Sequence, residues 1–247
     1  MHRLFGTILL TGILLLSANQ AGFSYDSPQK YGLQLGGGFG IYDMGDIPTG
    51  TDYMMKQTIN GTLTEADAGP VGNFAFLYQS SRHNMWEIGY NALLDVENKV
   101  ENAAGDTTGQ VLMHANEFYA KVNLVTYPSE KLHLNFGLGL AYYNVELQIQ
   151  DEFSYRFNYD AVGRGWGLLG SVGLELMLKE RLGLYLNGGG RLMNAAHFSY
   201  ESVPGVRTFL PVIGGSRPME VNLTGGYASL GLRFYFDQFT KPIDFTR

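Results

Sequence analysis

Large apolar residues alternate with polar or small residues over long stretches of this chain. Between Leu132 and Leu140, every even position is leucine or phenylalanine, and every odd position is histidine, asparagine or glycine. A period of two places the two sets of side chains on opposite faces of a β-strand. Segments of this kind recur and predict eight strands, at about 31–44, 69–80, 84–96, 113–127, 132–149, 165–178, 182–200 and 221–237.

The predicted connections alternate in length. The connections after the second, fourth and sixth strands are tight turns at 81–83, 128–131 and 179–181. The other connections are long and rich in loop-forming residues: 45–68, 97–112, 150–164 and 201–220. Short turns at one end and long loops at the other are typical of outer-membrane barrels. The sequence therefore predicts an all-β fold, a single eight-stranded antiparallel transmembrane β-barrel with up-and-down (meander) strand order and both chain ends in the periplasm.

The two faces of the predicted strands raise the question of which face meets lipid. A soluble exported barrel or sandwich, the alternative interpretation, would turn the apolar face inward. We favour an arrangement in which the apolar face meets lipid on the outside of the barrel. The opposite face carries glycines and charges of both signs, which suit the crowded lumen of a small barrel. Aromatic residues near the strand ends of the apolar face predict two interfacial girdles. Tyr31, Tyr78, Trp86, Phe234 and Phe236 would mark the periplasmic rim, and Phe118 and Trp166 the outer rim.

The first residues of the chain predict export. Arg3 precedes an apolar run at 4–16, which is shorter than the ~20 residues that a membrane-spanning helix needs. Small residues at 17–21 predict cleavage after Ala21. We therefore expect a signal peptide at 1–21 and one barrel domain at 22–247, with strands over about 31–237 and a short periplasmic tail at 238–247.

Composition narrows the range of functions. The formal net charge of −6 disfavours a nucleic-acid partner, which needs a basic patch. The absence of cysteine excludes disulfides, thiol catalysis and a lipoprotein anchor. The five histidines are scattered without metal-ligand spacing, so we expect neither a metal nor a cofactor.

The last predicted strand has a recognisable pattern. Residues 225–236 place Leu230, Leu232, Phe234 and Phe236 on one face and finish on phenylalanine. This strand resembles the C-terminal strand of small outer-membrane barrels of the OmpA/OmpX-type class, which barrel-assembly machinery reads. The resemblance implies a bacterial outer-membrane location, with outer-membrane lipids, lipopolysaccharide and that machinery as partners. Val221 and Leu223 fall out of phase with this pattern, which we interpret as a bulge near the outer rim.

Charged residues on the inward face predict a polar network in the lumen. Such charges must be paired, because an unpaired charge in a low-dielectric interior costs several kcal/mol. The network could be a closed polar plug that stabilises the barrel, or a gate whose pairs rearrange to admit ions or water. Its predicted charged members are Glu87, Asp95, Glu117, Lys121, Glu175, Arg191 and Arg233.

A His-x-Ser pair near the end of the seventh predicted strand is similar to the His-aromatic-Ser element of lipid A deacylases. The resemblance would make His197 the base and Ser199 the nucleophile, with Glu201 or Glu220 as the orienting acid. The two residues after the serine depart from the Asn-Ala of that family. The strand phase also turns His197 and Ser199 toward the lumen, away from a lipid substrate. A polar strand end that leads into a loop is the alternative.

The last long loop is more apolar than an exposed loop should be. Its residues 209–213 read Phe-Leu-Pro-Val-Ile, which predicts a lid over the barrel mouth or the wall of an apolar pocket. We expect a non-enzymatic barrel with a structural or surface-interaction role, toward an unidentified extracellular ligand, or with a narrow pore. The alternatives are a lipid A-modifying hydrolase and a carrier of small hydrophobic molecules.

Overall fold

The fold is seen in a computed structural model that describes residues 30–58, 60–81, 83–129, 131–151, 159–179, 181–203, 206–213 and 216–237. The expected signal peptide and the expected tail lie outside these residues. The described residues form one helix and eleven strands. These are β1 (Lys30–Tyr42), α1 (Ile47–Gln57), β2 (Thr62–Thr64), β3 (Ala68–Gln79), β4 (Asn84–Glu101), β5 (Thr107–Thr126), β6 (Leu132–Asp151), β7 (Tyr159–Lys179), β8 (Leu182–Val203), β9 (Val206–Phe209), β10 (Val221–Asn222) and β11 (Gly225–Asp237).

Eight of these strands close into a barrel. β1, β3, β4, β5, β6, β7, β8 and β11 pair with their neighbours in chain order, and every pair is antiparallel. The barrel closes between the first and last strands, where Leu35 lies opposite Leu232 on one side and Phe74 on the other. The short strands lie at one end of the barrel, where β2 pairs with β4, and β9 and β10 pair with β8. The predicted up-and-down barrel is confirmed.

The barrel strands are longer than predicted at the end away from Lys30 and Asp237. Residues 97–112, predicted as a loop, are mostly strand, because β4 continues to Glu101 and β5 begins at Thr107. β7 and β8 are extended at the same end. Outer-membrane barrels have short periplasmic turns, so the end with the short turns is called the periplasmic end here, and the added length forms the extracellular half of the barrel. Within the described residues, no helix is long and apolar enough to cross a membrane.

Apolar side chains lie on the outward face of the barrel in the periplasmic half and on the inward face in the extracellular half, as β6 shows. In the periplasmic half, the outward Leu138 and Leu140 are 37% and 57% exposed and form part of an apolar belt around the barrel. In the extracellular half, the inward Val145 and Leu147 are fully buried, whereas the outward Gln148 is exposed. The periplasmic half is therefore built with lipid outside, and the extracellular half is built as a soluble barrel with an apolar core.

The helix α1 contributes to this extracellular core and was not predicted, since residues 45–68 were expected to be a loop. Proline lies in its first turn, and Ile47, Gly50, Thr51 and Met54 are buried along one face. The apolar final loop packs beside it, with the Ile213 side chain against Gly50. Leu210, Val212 and Ile213 are buried in the apolar core of this half, together with residues of the barrel strands.

The prediction of a bulge near Val221 and Leu223 is wrong. β10 and β11 pair with β8 in one unbroken register, in which Val221 lies opposite Ala195 and Gly225 lies opposite Arg191. Val221 and Leu223 are fully buried because they point into the apolar extracellular core. Their phase differs from that of Leu230 because apolar residues face inward in this half.

Candidate functional site

Six of the seven charged residues predicted for the lumen lie together inside the periplasmic half. Glu87, Glu117, Lys121, Glu175, Arg191 and Arg233 are each between 0% and 4% exposed. Three of these side chains are acidic and three are basic. Formal charges therefore balance within the group, as burial of ionised side chains requires.

Arg233 is the centre of the lower part of this network. Its Nη1 lies 3.1 Å from Glu175 Oε2, its Nε donates to Gln34 Oε1 at 2.8 Å, and its Nη2 lies 3.8 Å from Glu87 Oε2. Tyr235 donates its hydroxyl hydrogen to Glu175 at 2.8 Å. One guanidinium group thus lies between two buried carboxylates, from β4 and β7, and pairs most closely with Glu175.

Glu87 is held by further partners from the neighbouring strand β5. Lys121 Nζ lies 3.2 Å from Glu87 Oε2. Tyr119 donates to Oε1 at 2.7 Å, and Asn123 donates to Oε2 at 3.2 Å. A void of about 10 Å³ lies beside these groups, which is at most the space of one water molecule. The lumen at this level is filled by side chains.

Amide side chains connect the lower cluster to a second ion pair nearer the extracellular half. Gln34 donates to Asn73 Oδ1 at 2.5 Å, Asn73 donates to Asn91 Oδ1 at 2.5 Å, and Asn91 donates to Glu117. Gln34 and Asn73 were not identified from the sequence. The available signal was their polar character at inward positions of strands whose outward neighbours are apolar.

The second ion pair joins Glu117 and Arg191. Glu117 Oε2 lies 3.1 Å from Arg191 Nη1, and both side chains are fully buried. The guanidinium carbon of Arg191 lies 4.9 Å from the ring centre of Tyr227 and 5.4 Å from that of Tyr42. The guanidinium makes no well-aligned hydrogen bond within the described residues. Charge attraction and cation–π contacts therefore hold Arg191 in place.

Asp95 does not belong to the network, which corrects the prediction. Between Leu93 and Val96 the register with β5 shifts by one residue, so that Leu94 and Asp95 both oppose His114. This β-bulge turns Asp95 outward, where its carboxylate is 66% exposed and lies 3.5 Å from His114 Nδ1. Beyond the bulge, even-numbered positions of β4 face inward, as the buried Val96 shows.

The residues of the predicted catalytic group also differ from the prediction in the direction that they face. A second register shift places Ser199 opposite Val162, a residue on the outer face of β7. Ser199 therefore faces outward, whereas its neighbour Phe198 is fully buried. Glu201 is exposed, and Glu220 donates its backbone N–H to Asp46 at 2.9 Å. The side chain of His197 lies outside the described part of the chain.

The aromatic residues predicted as girdles lie on the outer surface near the two ends of the apolar belt. At the periplasmic end the rings of Tyr31 and Tyr78 stack 5.2 Å apart. Phe236 lies opposite Tyr31, and Trp86 lies opposite Tyr78. Phe234, two residues before Phe236, is also exposed on this face. At the other end Phe118 packs against Tyr90, and Trp166, which is 71% exposed, packs against Tyr142.

An ion pair between Asp46 and Arg217 joins α1 to the final loop. Arg217 Nη1 donates to Asp46 Oδ2 at 2.7 Å, and Asp46 N–H donates to the Glu220 carbonyl at 3.0 Å. The hydrogen bond with Asp46 raises the pKa of Arg217, which therefore stays charged. The side chain of Asp46 is 11% exposed and that of Arg217 is 60% exposed.

We expect Arg217→Gln to loosen α1 without unfolding the barrel. Solvent screens an ion pair this exposed, so its contribution is small, and amide hydrogen exchange within Ile47–Gln57 should accelerate by no more than about fivefold. Arg207→Gln changes another exposed arginine of the extracellular half and should leave exchange of α1 unchanged. Equal exchange in both variants would show that the apolar contacts alone hold the helix.

Comparison with known proteins identifies the fold. No protein-family model matches the chain, and no curated protein matches it. Outer membrane protein OprG from Pseudomonas aeruginosa superposes with a TM-score of 0.51 at 12% identity, over 85% of this chain and 97% of that chain. Neisserial surface protein A superposes with a TM-score of 0.46 at 9% identity, over 85% of this chain and 100% of that chain. Outer membrane protein AlkL in lipid bilayers superposes with a TM-score of 0.45 at 12% identity, over 89% of this chain and 95% of that chain. With its apolar outer belt and this likeness, the chain has the fold of a small eight-stranded outer-membrane β-barrel.

Proposed function

We propose that this protein is a non-enzymatic outer-membrane barrel with a closed lumen, which acts through its extracellular surface. The observation that carries the proposal is the filling of the lumen in both halves. The periplasmic half holds the polar network described above, and the extracellular half holds an apolar core covered by α1 and the final loop.

The polar network supports a closed barrel in its own right. An ion that crossed this level would have to separate Arg233 from Glu175, which are 3.1 Å apart and buried. Each separated charge would lose its partner in a medium that solvates it poorly. The balanced network therefore supports the plug interpretation over the gate interpretation.

The apolar core supports a role for the extracellular half as a rigid surface structure. Its buried members come from the barrel strands, from α1 and from the final loop, among them Met113, Leu147, Phe198 and Met219. A core of this kind fixes the loops that cover it, since interiors are close-packed. The protein would then present a defined surface above the membrane to an extracellular partner.

The test is electrical. We expect the purified full-length protein, inserted into planar lipid bilayers, to give no discrete conductance steps, because both halves of its lumen are filled. Insertion is verified on the same sample by the different gel mobility of boiled and unboiled protein. A general porin in the same bilayers serves as the positive control.

Steady conductance steps from the inserted protein would overturn the proposal in favour of the narrow-pore interpretation. In that case Arg233→Gln should change the conductance, because this residue spans the lumen. The hydrolase alternative is not proposed, because a serine needs an adjacent base to act as a nucleophile and the side chain of His197 lies outside the described residues.

A further inference from the structure

A polar row lies directly above the apolar belt on three adjacent strands of the barrel. On β5 the outward residues change from Phe118 to Asn116, on β6 from Tyr142 to Asn144, and on β7 from Trp166 to Arg164. The three polar residues are register partners, with Asn116 opposite Asn144 and Asn144 opposite Arg164. They therefore form one continuous row at the level where lipid tails give way to headgroups.

An open groove occupies this part of the outer surface. Its walls are the rings of Tyr90, Phe118 and Tyr142 together with the polar side chains of Asn116, Asn144 and Arg164. The Tyr90 hydroxyl donates to Asn116 Oδ1, so its ring is fixed beside the polar row. The groove thus combines flat aromatic surfaces with two carboxamides and one cation.

Arg164 is the charged member of the groove. Its side chain is exposed, and no described carboxylate lies within ion-pair distance of it. The acid beside the row is Glu146, which accepts a hydrogen bond from Asn144 at 3.3 Å on the side away from the belt. An anion would therefore bind at the Arg164 end of the row, where a guanidinium suits the geometry of phosphate oxygens.

We propose that this groove binds the phosphorylated glucosamine headgroup of lipid A in the outer leaflet. The position of the row supports a lipid headgroup as the occupant, because this surface of an outer-membrane barrel faces the lipopolysaccharide layer. Arg164 would contact a phosphate, and Asn116 and Asn144 would bond sugar hydroxyl and amide groups. The rings of Tyr90 and Tyr142 would pack against the apolar faces of the sugars.

The test measures lipid binding to the full-length protein in detergent micelles by native mass spectrometry. The probes are bisphosphorylated lipid A, the same lipid without its phosphates, and phosphatidylglycerol. A chelator is present, so that a divalent cation between Glu146 and a phosphate does not contribute. We expect Arg164→Gln to weaken binding of bisphosphorylated lipid A roughly tenfold, the effect of losing one charge-assisted contact.

The controls separate this site from general attraction to anions. Arg207→Gln should bind lipid A as the wild type does, and removal of the phosphates should weaken the wild type but not Arg164→Gln. Equal binding by wild type and Arg164→Gln would overturn the proposal. Equal binding of phosphatidylglycerol and lipid A, or displacement of lipid A by millimolar inorganic phosphate, would also overturn it, because a bare phosphate would then suffice.

Discussion

Arg233→Met should lower the free energy of unfolding by about 3–5 kcal/mol, the cost of removing one partner from a buried ion pair. Arg233 neutralises Glu175 at 3.1 Å and lies 3.8 Å from Glu87. Without it, Glu175 keeps the Tyr235 hydroxyl and His133 as polar neighbours but loses its arginine. The measurement is urea-induced unfolding in lipid vesicles, followed by the gel mobility of the unboiled protein.

Two further variants test whether charge burial is the cause. In Arg233→Met/Glu175→Gln the stranded carboxylate is gone, so part of the lost stability should return. Lys99→Met breaks the exposed pair between Lys99 and Glu97, which are 3.0 Å apart, and should cost less than about 1 kcal/mol. If Arg233→Met were no more harmful than Lys99→Met, the network would not be a stabilising element.

Gly38→Ala should prevent most of the protein from reaching the folded, heat-modifiable form. A Cβ at this inward position would overlap the carbonyl oxygen of Ala228 and would lie 2.7 Å from the Cα of Ser229. Both atoms belong to the backbone of β11, so they cannot move aside without separating it from β1 where the barrel closes. We expect a loss of at least about 3 kcal/mol, the upper range for an overpacked site.

Gly37→Ala is the matched control, since the two glycines are adjacent on the same strand. Gly37 faces outward, and the nearest atom to its added Cβ would be the Val71 carbonyl oxygen at 3.5 Å, an ordinary contact. Alanine is favoured over glycine in a strand by roughly 0.5–1 kcal/mol, so this variant should fold as well as the wild type or better. Similar refolding yields for both variants would contradict the steric explanation.

Period-two alternation was sufficient to predict the barrel, because each membrane-spanning strand must keep one face apolar for lipid. It also placed six of the charged lumen residues correctly in phase, since Glu87, Glu117 and Arg233 lie within uninterrupted register with their neighbours. Which face of a strand a residue lies on follows from the alternation of its nearest neighbours along the chain, so local sequence is enough to place these residues.

The register shifts that turn Asp95 and Ser199 outward could not be predicted in the same way. At Leu94 and Asp95 one extra residue reverses the faces, yet no glycine or proline marks the place. The shift in β8 before Ser199 likewise lies in a stretch with no apolar alternation to reveal it. A bulge depends on the length of the partner strand, which local sequence does not contain.

The apolar extracellular core was missed although its pattern was present. In β6 the apolar residues change from even positions up to Leu140 to odd positions from Val145. α1 was missed for a related reason, because Ile47, Thr51 and Met54 are too few to distinguish a short helix from a loop. Its buried face is stabilised by packing against β4 and β5 rather than by its own propensity.

The exchange of faces between the two halves has a consequence for how the protein sits in membranes of different thickness. Below Asn144 the outward side chains need hydrocarbon, and above it Glu146, Gln148 and Gln150 need water. A shift along the membrane normal by a single outward position would expose leucine to water or submerge a polar side chain. Such a barrel cannot slide or change its tilt to suit a thinner or thicker bilayer, so the surrounding lipid must stretch or compress instead.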